Sequence, residues 1–384
     1  MGILKPLKIV TIVGARPQFV KAAAVTRAIQ RYNKTCPSKQ RVQEILVHTG
    51  QHYDYMMDKV FFEELNLPKP DYHLGVGSGS HARQTGKMLE RIEWVLETER
   101  PDTVVVYGDT NSTLAGALTA AKLRIPVAHV EAGLRSYNSA MPEEINRLLT
   151  DHLSTLLFCP TDQAVGNLLQ EGIKNGATRI VKNVGDVMYD SILYYSKIAE
   201  KRSAILKNLG FDTGHEKRDA SYYLATLHRA ENTDDPKRLK SIFRALNEIG
   251  EKTPVILPLH PRTKKVMKAY RLFFEFKNIN FIGPVSYLDM VKLEKNAGAI
   301  LTDSGGVQKE AYWFGVPCLT LREETEWVET IKSGWNVLVG TSPEKIVKGV
   351  SHTEGRRRYL KGNKIFGDGK ASQKIVQILT RHFG

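Results

Sequence analysis

Short apolar runs alternate with longer segments whose apolar positions recur at helical spacing, and the alternation continues along the whole chain. This pattern predicts an α/β fold with mainly parallel sheets. In the first half it predicts strands at Lys8–Val13, Glu44–His48, Thr103–Tyr107, Pro126–Val130, Thr155–Cys159 and Thr178–Lys182. Helices are predicted over Pro17–Arg31, Tyr55–Leu65, Ala82–Glu99, Ser112–Lys122, Glu143–Leu153 and Asp162–Glu171. A second series begins at Ser221, with strands Tyr222–Thr226, Pro254–Pro258, Asn280–Gly283, Ala299–Leu301 and Val316–Leu321 separated by helical segments. Between the two lies Asp190–Arg218, polar, Lys-rich and without a strand signal, so the domain boundary is expected near Gly185. Two successive strand–helix series read as two Rossmann-like domains facing across a cleft.

Composition changes this picture little. At about 150 residues per domain, 384 residues fit two domains. Hydrophobic content of 42% and charged content of 25% are those of a globular enzyme with real cores. The three cysteines, Cys36, Cys159 and Cys318, are far apart and lie in apolar segments, which excludes a disulfide scaffold and fits a reducing, cytoplasmic setting. The run Lys8–Val13 is too short for a signal or membrane segment, so no membrane association is expected. The net charge of +14 invites a polyanion. Part of it sits in residues 351–384, where eight Lys and Arg against two acids leave +6; a solvated basic helix explains that better than a nucleic-acid site.

In such sheets, ligands bind beyond the carboxyl ends of the strands. Reading off the residues there gives Gly14-Ala15-Arg16, Thr49-Gly50-Gln51-His52, Gly108-Asp109-Thr110, Glu131-Ala132-Gly133, His228-Arg229, His260-Pro261-Arg262 and Asp303-Ser304-Gly305-Gly306. The set is rich in Gly, His, Arg and carboxylates, whereas the strands feeding it are apolar.

Ser304, Gly305 and Gly306 open a helix after a buried strand, so their amides either cradle an anion or simply make a tight turn. Glu310, four residues after Gly306, can cap the turn or accept hydrogen bonds from a ribose diol. Arg16 beside the helix start at Pro17 is placed to grip a phosphate, with Lys21 one turn further on the same face; both could equally be solvated. Asp109 and Glu131 each follow a buried strand directly, and Glu143 stands near the start of a helix. Three carboxylates in reach of one cleft can act as general acid and base. His228 ends the first strand of the second series and can donate to a phosphate or shuttle a proton. No histidine cluster has ligand spacing, so no metal is expected.

These residues resemble the non-hydrolysing UDP-N-acetylglucosamine 2-epimerases over nearly the whole chain, from Gly14-Ala15-Arg16-Pro17 to Phe366–Ser372. The most specific stretches are Gly108-Asp109-Thr110, His129–Arg135, Pro142–Arg147 and Thr302–Gly306. The resemblance implies a GT-B-like pair of domains, residues 1–185 with 371–384 and residues 186–370, the C-terminal helix crossing back onto the first and the second binding UDP. It implies inversion at C2 of UDP-N-acetylglucosamine to give UDP-N-acetylmannosamine, for surface polysaccharide precursors. UDP leaves by elimination to a 2-acetamidoglucal and then adds back. Asp109, Glu131 and Glu143 would stabilise positive charge on the sugar and exchange protons at C2, with Lys21 adding charge. Arg16, His228 and the Ser304–Gly306 amides would hold the diphosphate, and Glu310 the ribose; the loop Pro284–Met290 would lie near uracil. No cofactor, metal or nucleic acid is implied, and a cytoplasmic homodimer is.

The chain departs from the family pattern in places. Gln18 stands where Glu is common, Leu227 where Gly precedes the His, and Trp327-Val328 where an Arg-Pro pair is expected. Met290 replaces an aromatic near uracil, and Gln51-His52-Tyr53-Asp54 differs from Gln-His-Arg. These changes resemble a branch acting on UDP-2,3-diacetamido-2,3-dideoxyglucuronate. The hydrolysing 2-epimerases and the GT-B glycosyltransferases are the other readings compatible with the same groups.

Overall fold

The computed structural model describes residues 6–51, 64–211, 222–270, 272, 275–353 and 365–384. The predicted helix Tyr55–Leu65 and the loop residues His52, Tyr53 and Asp54 lie wholly or mostly outside this range, as does the Arg-rich stretch at 356–358. The chain forms two compact α/β units, Met1–Leu193 with Lys364–Gly384, and Tyr194–Asn363.

In the first unit seven strands form one sheet. They are β1 (Leu7–Val13), β2 (Val42–His48), β3 (Tyr72–His73), β4 (Thr103–Tyr107), β5 (Val127–Val130), β6 (Leu156–Cys159) and β7 (Ile180–Asn183). Their order is β3-β2-β1-β4-β5-β6-β7, and every pairing is parallel. Helices cover both faces, so most of the strands are mainly apolar instead of alternating. Val10 and Ile12 of β1 sit beside Val104 and Val106 of β4, and all four pack with Met88, Ile92 and Val95 of the helix His81–Glu99 and Ala115 and Ala117 of the helix Asn111–Lys122. Strand order reverses between β1 and β4, and a ligand site is expected beyond their carboxyl ends. Those ends are Gly14 and Gly108.

The last helix, Ala371–Phe383, packs on the first, Arg16–Thr35, burying Ile375, Val376 and Leu379. Two contacts fix its entry. The chain passes Gly185 so closely that a Cβ on Gly367 would lie 2.9 Å from the Gly185 Cα, and both glycines have positive φ. Asp190 then accepts from the amides of Ala371 and Ser372, capping the helix.

Within this unit β2 carries an acid where its neighbours are apolar. Burial pushes the Glu44 carboxyl up to about 7, against the hydrogen bond it accepts from the Thr11 hydroxyl at 2.7 Å. An acid raised on folding stabilises fully below its unfolded value, near 4.5, and loses that contribution as pH climbs through about 7. Glu44→Gln keeps the Thr11 contact without the ionisation. It is expected to raise Tm at pH above about 7 and to change it little at pH below about 5, which thermal melts at the two pH values would measure.

The second unit repeats the plan. Strands β8 (Tyr223–Thr226), β9 (Val255–Pro258), β10 (Ile279–Ile282), β11 (Ile300–Thr302), β12 (Cys318–Thr320) and β13 (Asn336–Leu338) run parallel in the order β10-β9-β8-β11-β12-β13. Leu239, Ile242, Phe243 and Leu246 of the helix Pro236–Gly250 fill one face of its core against Leu257 and Leu301. Here the order reverses between β8 and β11, whose tips lead to His228 and Asp303. Strands β3 and β13, only two and three residues long, are additions to the sequence expectation. They are too short to carry a periodic signal.

Candidate active site

At the first strand reversal, Gly14 leaves no room for a side chain, because a Cβ there would collide with the hydroxyls of Thr49 and Ser112. Gln18, on the first turn of the following helix, is buried and uses both ends of its amide. Its Oε1 accepts from the amides of Gly14 (2.8 Å) and Ala15 (3.1 Å), while Nε2 donates to the Tyr107 carbonyl and the Thr113 hydroxyl, each at 2.9 Å. A Glu could not donate those last two bonds, so the departure at this position ties β1 to β4. Arg16 is exposed at the helix start, beside this turn.

Lys21, one turn on, is buried with its ammonium group in contact with the Glu131 carboxylate. Both lie against Gly108, where a Cβ would come 2.8 Å from Lys21 Nζ and 3.3 Å from Glu131 Oε2. Glu131 has φ of +73°, a backbone conformation that L residues other than Gly, Asn and Asp adopt rarely and at a cost of about 1–3 kcal/mol. The amides of Glu131 and Ala132 both donate to the Phe158 carbonyl, which holds the turn. Strain concentrated on a buried carboxylate at a strand tip marks a site where position is fixed by the rest of the fold.

Asp109, half-buried, is held by Arg147, whose Nη1 donates to Oδ2 at 2.6 Å, and by Asn146, which donates to its carbonyl. Arg147 also donates to Glu144 from Nε and Nη2. Glu144 is 2% exposed and additionally accepts from the Ser136 amide and hydroxyl and the Tyr137 amide. Burial pushes the Glu144 carboxyl up, but the Ser136 amide and Arg147 outweigh it and hold it below its ordinary value. A carboxylate so fully engaged is a fixture. Its neighbour Glu143 is half-buried on the first helical turn.

The first unit thus brings Lys21, Glu131 and Asp109 to one strand edge through Gly108, with Arg16 at the neighbouring turn. In the second unit, Asp303 accepts from the amides of His228 and Arg229 and from Asn232, joining the tips of β8 and β11. His228 stands beside it, Nδ1 3.4 Å from Asp303 Oδ1, with its side chain 38% exposed. Ser304 caps the helix Gly305–Phe314, its Oγ accepting from the Val307 amide, so the amides of Gly305 and Gly306 form the first turn. Gly305 is needed there: a Cβ would meet Glu326 Oε1 at 2.5 Å and Trp327 Nε1 at 3.0 Å. Trp327, standing where Arg-Pro was expected, is buried against this turn, and Lys309 Nζ lies 3.8 Å from its ring centroid. Glu310 is buried and accepts from the Tyr287 hydroxyl at 3.4 Å. Met290 packs on the core around Leu293 and Val307.

Sequence reasoning assigned no role to Arg147, Glu144, His129, Asp151 or Arg135. The Glu144–Arg147 spacing of three was a readable signal for a helix-surface pair. Nothing in the sequence marks that pair as buried. Among the described residues, no group of three His, Cys, Asp or Glu could hold a metal ion, and no helix is long and apolar enough to cross a membrane.

Residues 34–380 match the family model for UDP-N-acetylglucosamine 2-epimerase. A UDP-N-acetylglucosamine 2-epimerase homologue of Methanococcus maripaludis is 53% identical over 97% of this chain and 99% of its own length. The UDP-2,3-diacetamido-2,3-dideoxy-D-glucuronate 2-epimerase of Pseudomonas aeruginosa is 50% identical over 98% of this chain and 100% of its own. Among solved structures, the UDP-GlcNAc 2-epimerase of Methanocaldococcus jannaschii in complex with UDP-GlcNAc and UDP superposes with a TM-score of 0.87 at 48% identity, covering 98% of this chain and 100% of that one.

Proposed function

The chain belongs to the UDP-N-acetylglucosamine 2-epimerase family, and from that premise we propose that it interconverts UDP-N-acetylglucosamine and UDP-N-acetylmannosamine without releasing the sugar. The observation that carries this reading is the cluster of Lys21, Glu131 and Asp109 about Gly108, with Glu131 in a strained backbone conformation.

The C2 proton of the sugar is weakly acidic, so cleavage of the C1–oxygen bond runs ahead and positive charge develops at C1. Carboxylates Asp109, Glu131 and Glu143 stabilise that charge. One of them takes the C2 proton as the C1–C2 double bond forms and UDP departs with the bonding electrons. The UDP oxygen then attacks C1 again while a proton reaches C2 on the opposite face. Two faces require more than one proton-handling group, which is why several carboxylates serve one carbon. Lys21 offsets the negative charge gathered around Glu131. The Gly305 and Gly306 amides, His228 and Arg16 are assigned to the diphosphate and Glu310 to the ribose. The loop Pro284–Met290 lies near uracil. The enzyme works as a cytoplasmic homodimer supplying surface polysaccharide precursors; the family resemblance supports this.

The relative from Pseudomonas aeruginosa, together with Gln18 and Trp327-Val328, favours a second substrate, UDP-2,3-diacetamido-2,3-dideoxyglucuronate, for the same chemistry. Turnover of the two UDP-sugars side by side, followed by NMR, separates the readings. A stationary mixture of UDP-linked epimers from UDP-N-acetylglucosamine supports the first. Epimerisation of the uronate alone favours the second, and free N-acetylmannosamine accumulating with UDP would overturn both in favour of hydrolysis.

A further inference from the structure

Behind the two carboxylate-bearing turns lies a buried His–Asp pair that the reaction does not touch. His129, on β5 two residues before Glu131, is fully buried, as is Asp151 of the helix Pro142–Leu153. His129 Nε2 is 2.8 Å from the Gly108 carbonyl, which can only accept, so this nitrogen carries a proton. His129 Nδ1 is 2.7 Å from Asp151 Oδ1. The other oxygen, Oδ2, accepts from the Gly133 amide at 3.1 Å and from Arg135 Nη1 at 2.7 Å. Burial pushes the Asp151 carboxyl up, yet His129 and Arg135 hold it below its ordinary value.

The connectivity matters more than the charge. Gly108 precedes Asp109, and its amide donates to the Val130 carbonyl while its own carbonyl accepts from His129. Gly133 follows Glu131 by two residues and is tied to the same Asp151. One buried pair therefore grips the turn that projects Asp109 and the turn that projects Glu131. A buried polar pair adds little net stability compared with well-packed apolar residues, so its service is geometric. Gly108 takes its positive φ freely, whereas Glu131 at φ +73° does so at a cost, so the Glu131 turn depends on such ties.

We propose that His129 is a positioning residue of the epimerisation, setting the separation of the Asp109 and Glu131 carboxylates through Gly108 and Asp151. This rests on the reading that those carboxylates act at C2. A displacement of about 1 Å among reacting groups costs about 100-fold in rate.

The test compares the full-length enzyme with His129→Asn, whose amide mimics Nδ1 and reaches Asp151 only, and His129→Gln, whose amide mimics Nε2 and reaches Gly108. For His129→Asn the expected result is a kcat about 100-fold lower, with KM for UDP-N-acetylglucosamine and the Kd for UDP within about 3-fold of wild type. His129→Gln should recover about 10-fold of that loss even where its Tm is no higher than that of the Asn variant. A folded Asn variant with near wild-type kcat would overturn the proposal, as would activity that follows Tm alone across the two variants. Should the Asn variant not fold, the Gln variant decides: a folded Gln variant whose KM for UDP-N-acetylglucosamine shifts as far as its kcat overturns it. Absence of C2 exchange in wild type itself would instead overturn the functional reading.

Discussion

Glu131→Gln is expected to slow proton exchange at C2 by about 10³-fold while the affinity for UDP changes less than about 3-fold. The amide has the size of the carboxylate, so the strained turn at φ +73° and its hydrogen bonds to the Phe158 carbonyl survive. What disappears is the group that can bind a proton and the negative partner of Lys21, which is left buried beside a neutral side chain. UDP is proposed to bind through Ser304–Gly306 and Glu310, so its binding serves as the internal control. Rates of solvent deuterium uptake and calorimetric UDP titrations measure the two quantities. Loss of both together would place Glu131 in the scaffold.

Arg147→Met carries the largest expected cost in stability. Arg147 is 2% exposed and holds Glu144, itself 2% exposed, and Asp109. Removing the guanidinium strands the Glu144 charge in the interior, and breaking a buried pair from one side costs about 3–5 kcal/mol. For a unit of this size that corresponds to a Tm lower by on the order of 10 °C. Adding Glu144→Gln should restore much of the loss, since the stranded charge is then gone, and a double-mutant cycle in denaturant gives the coupling. Activity should stay low in the double variant, because Asp109 still lacks its anchor at 2.6 Å. Equal stability of Arg147→Met and wild type would show that Glu144 relaxes to solvent.

Most of the fold was legible because its strands are buried on both faces and therefore read as plain apolar runs. The strand tips were legible for a related reason: Asp109, Glu131, His228 and Asp303 lie just beyond those runs, where ligands bind in such sheets, although Asp303 also ties the tips of β8 and β11 together. The branch at Pro142-Glu143-Glu144 was only half readable. Both acids suit a helix start, and only the structure shows the ring of donors from Ser136, Tyr137 and Arg147 that engages Glu144. The same holds for His129 and Asp151, which are 22 positions apart and meet only because β5 lies beside the helix Pro142–Leu153. Tertiary pairing leaves no mark on local periodicity. Gln18 reads as a departure from a family pattern until its four hydrogen bonds are seen. Trp327 likewise reads as the loss of an arginine until it is found packed against Gly305 beneath Lys309.

The central claim is that epimerisation at C2 proceeds with the sugar's C2 proton exchanged and UDP returned to C1. It is tested most directly by incubating the enzyme with UDP-N-acetylglucosamine in D2O and following C2 by proton NMR. Deuterium entering C2 of both UDP-linked epimers, with no free sugar accumulating, is the predicted result. Epimers that form with the C2 proton retained would contradict it.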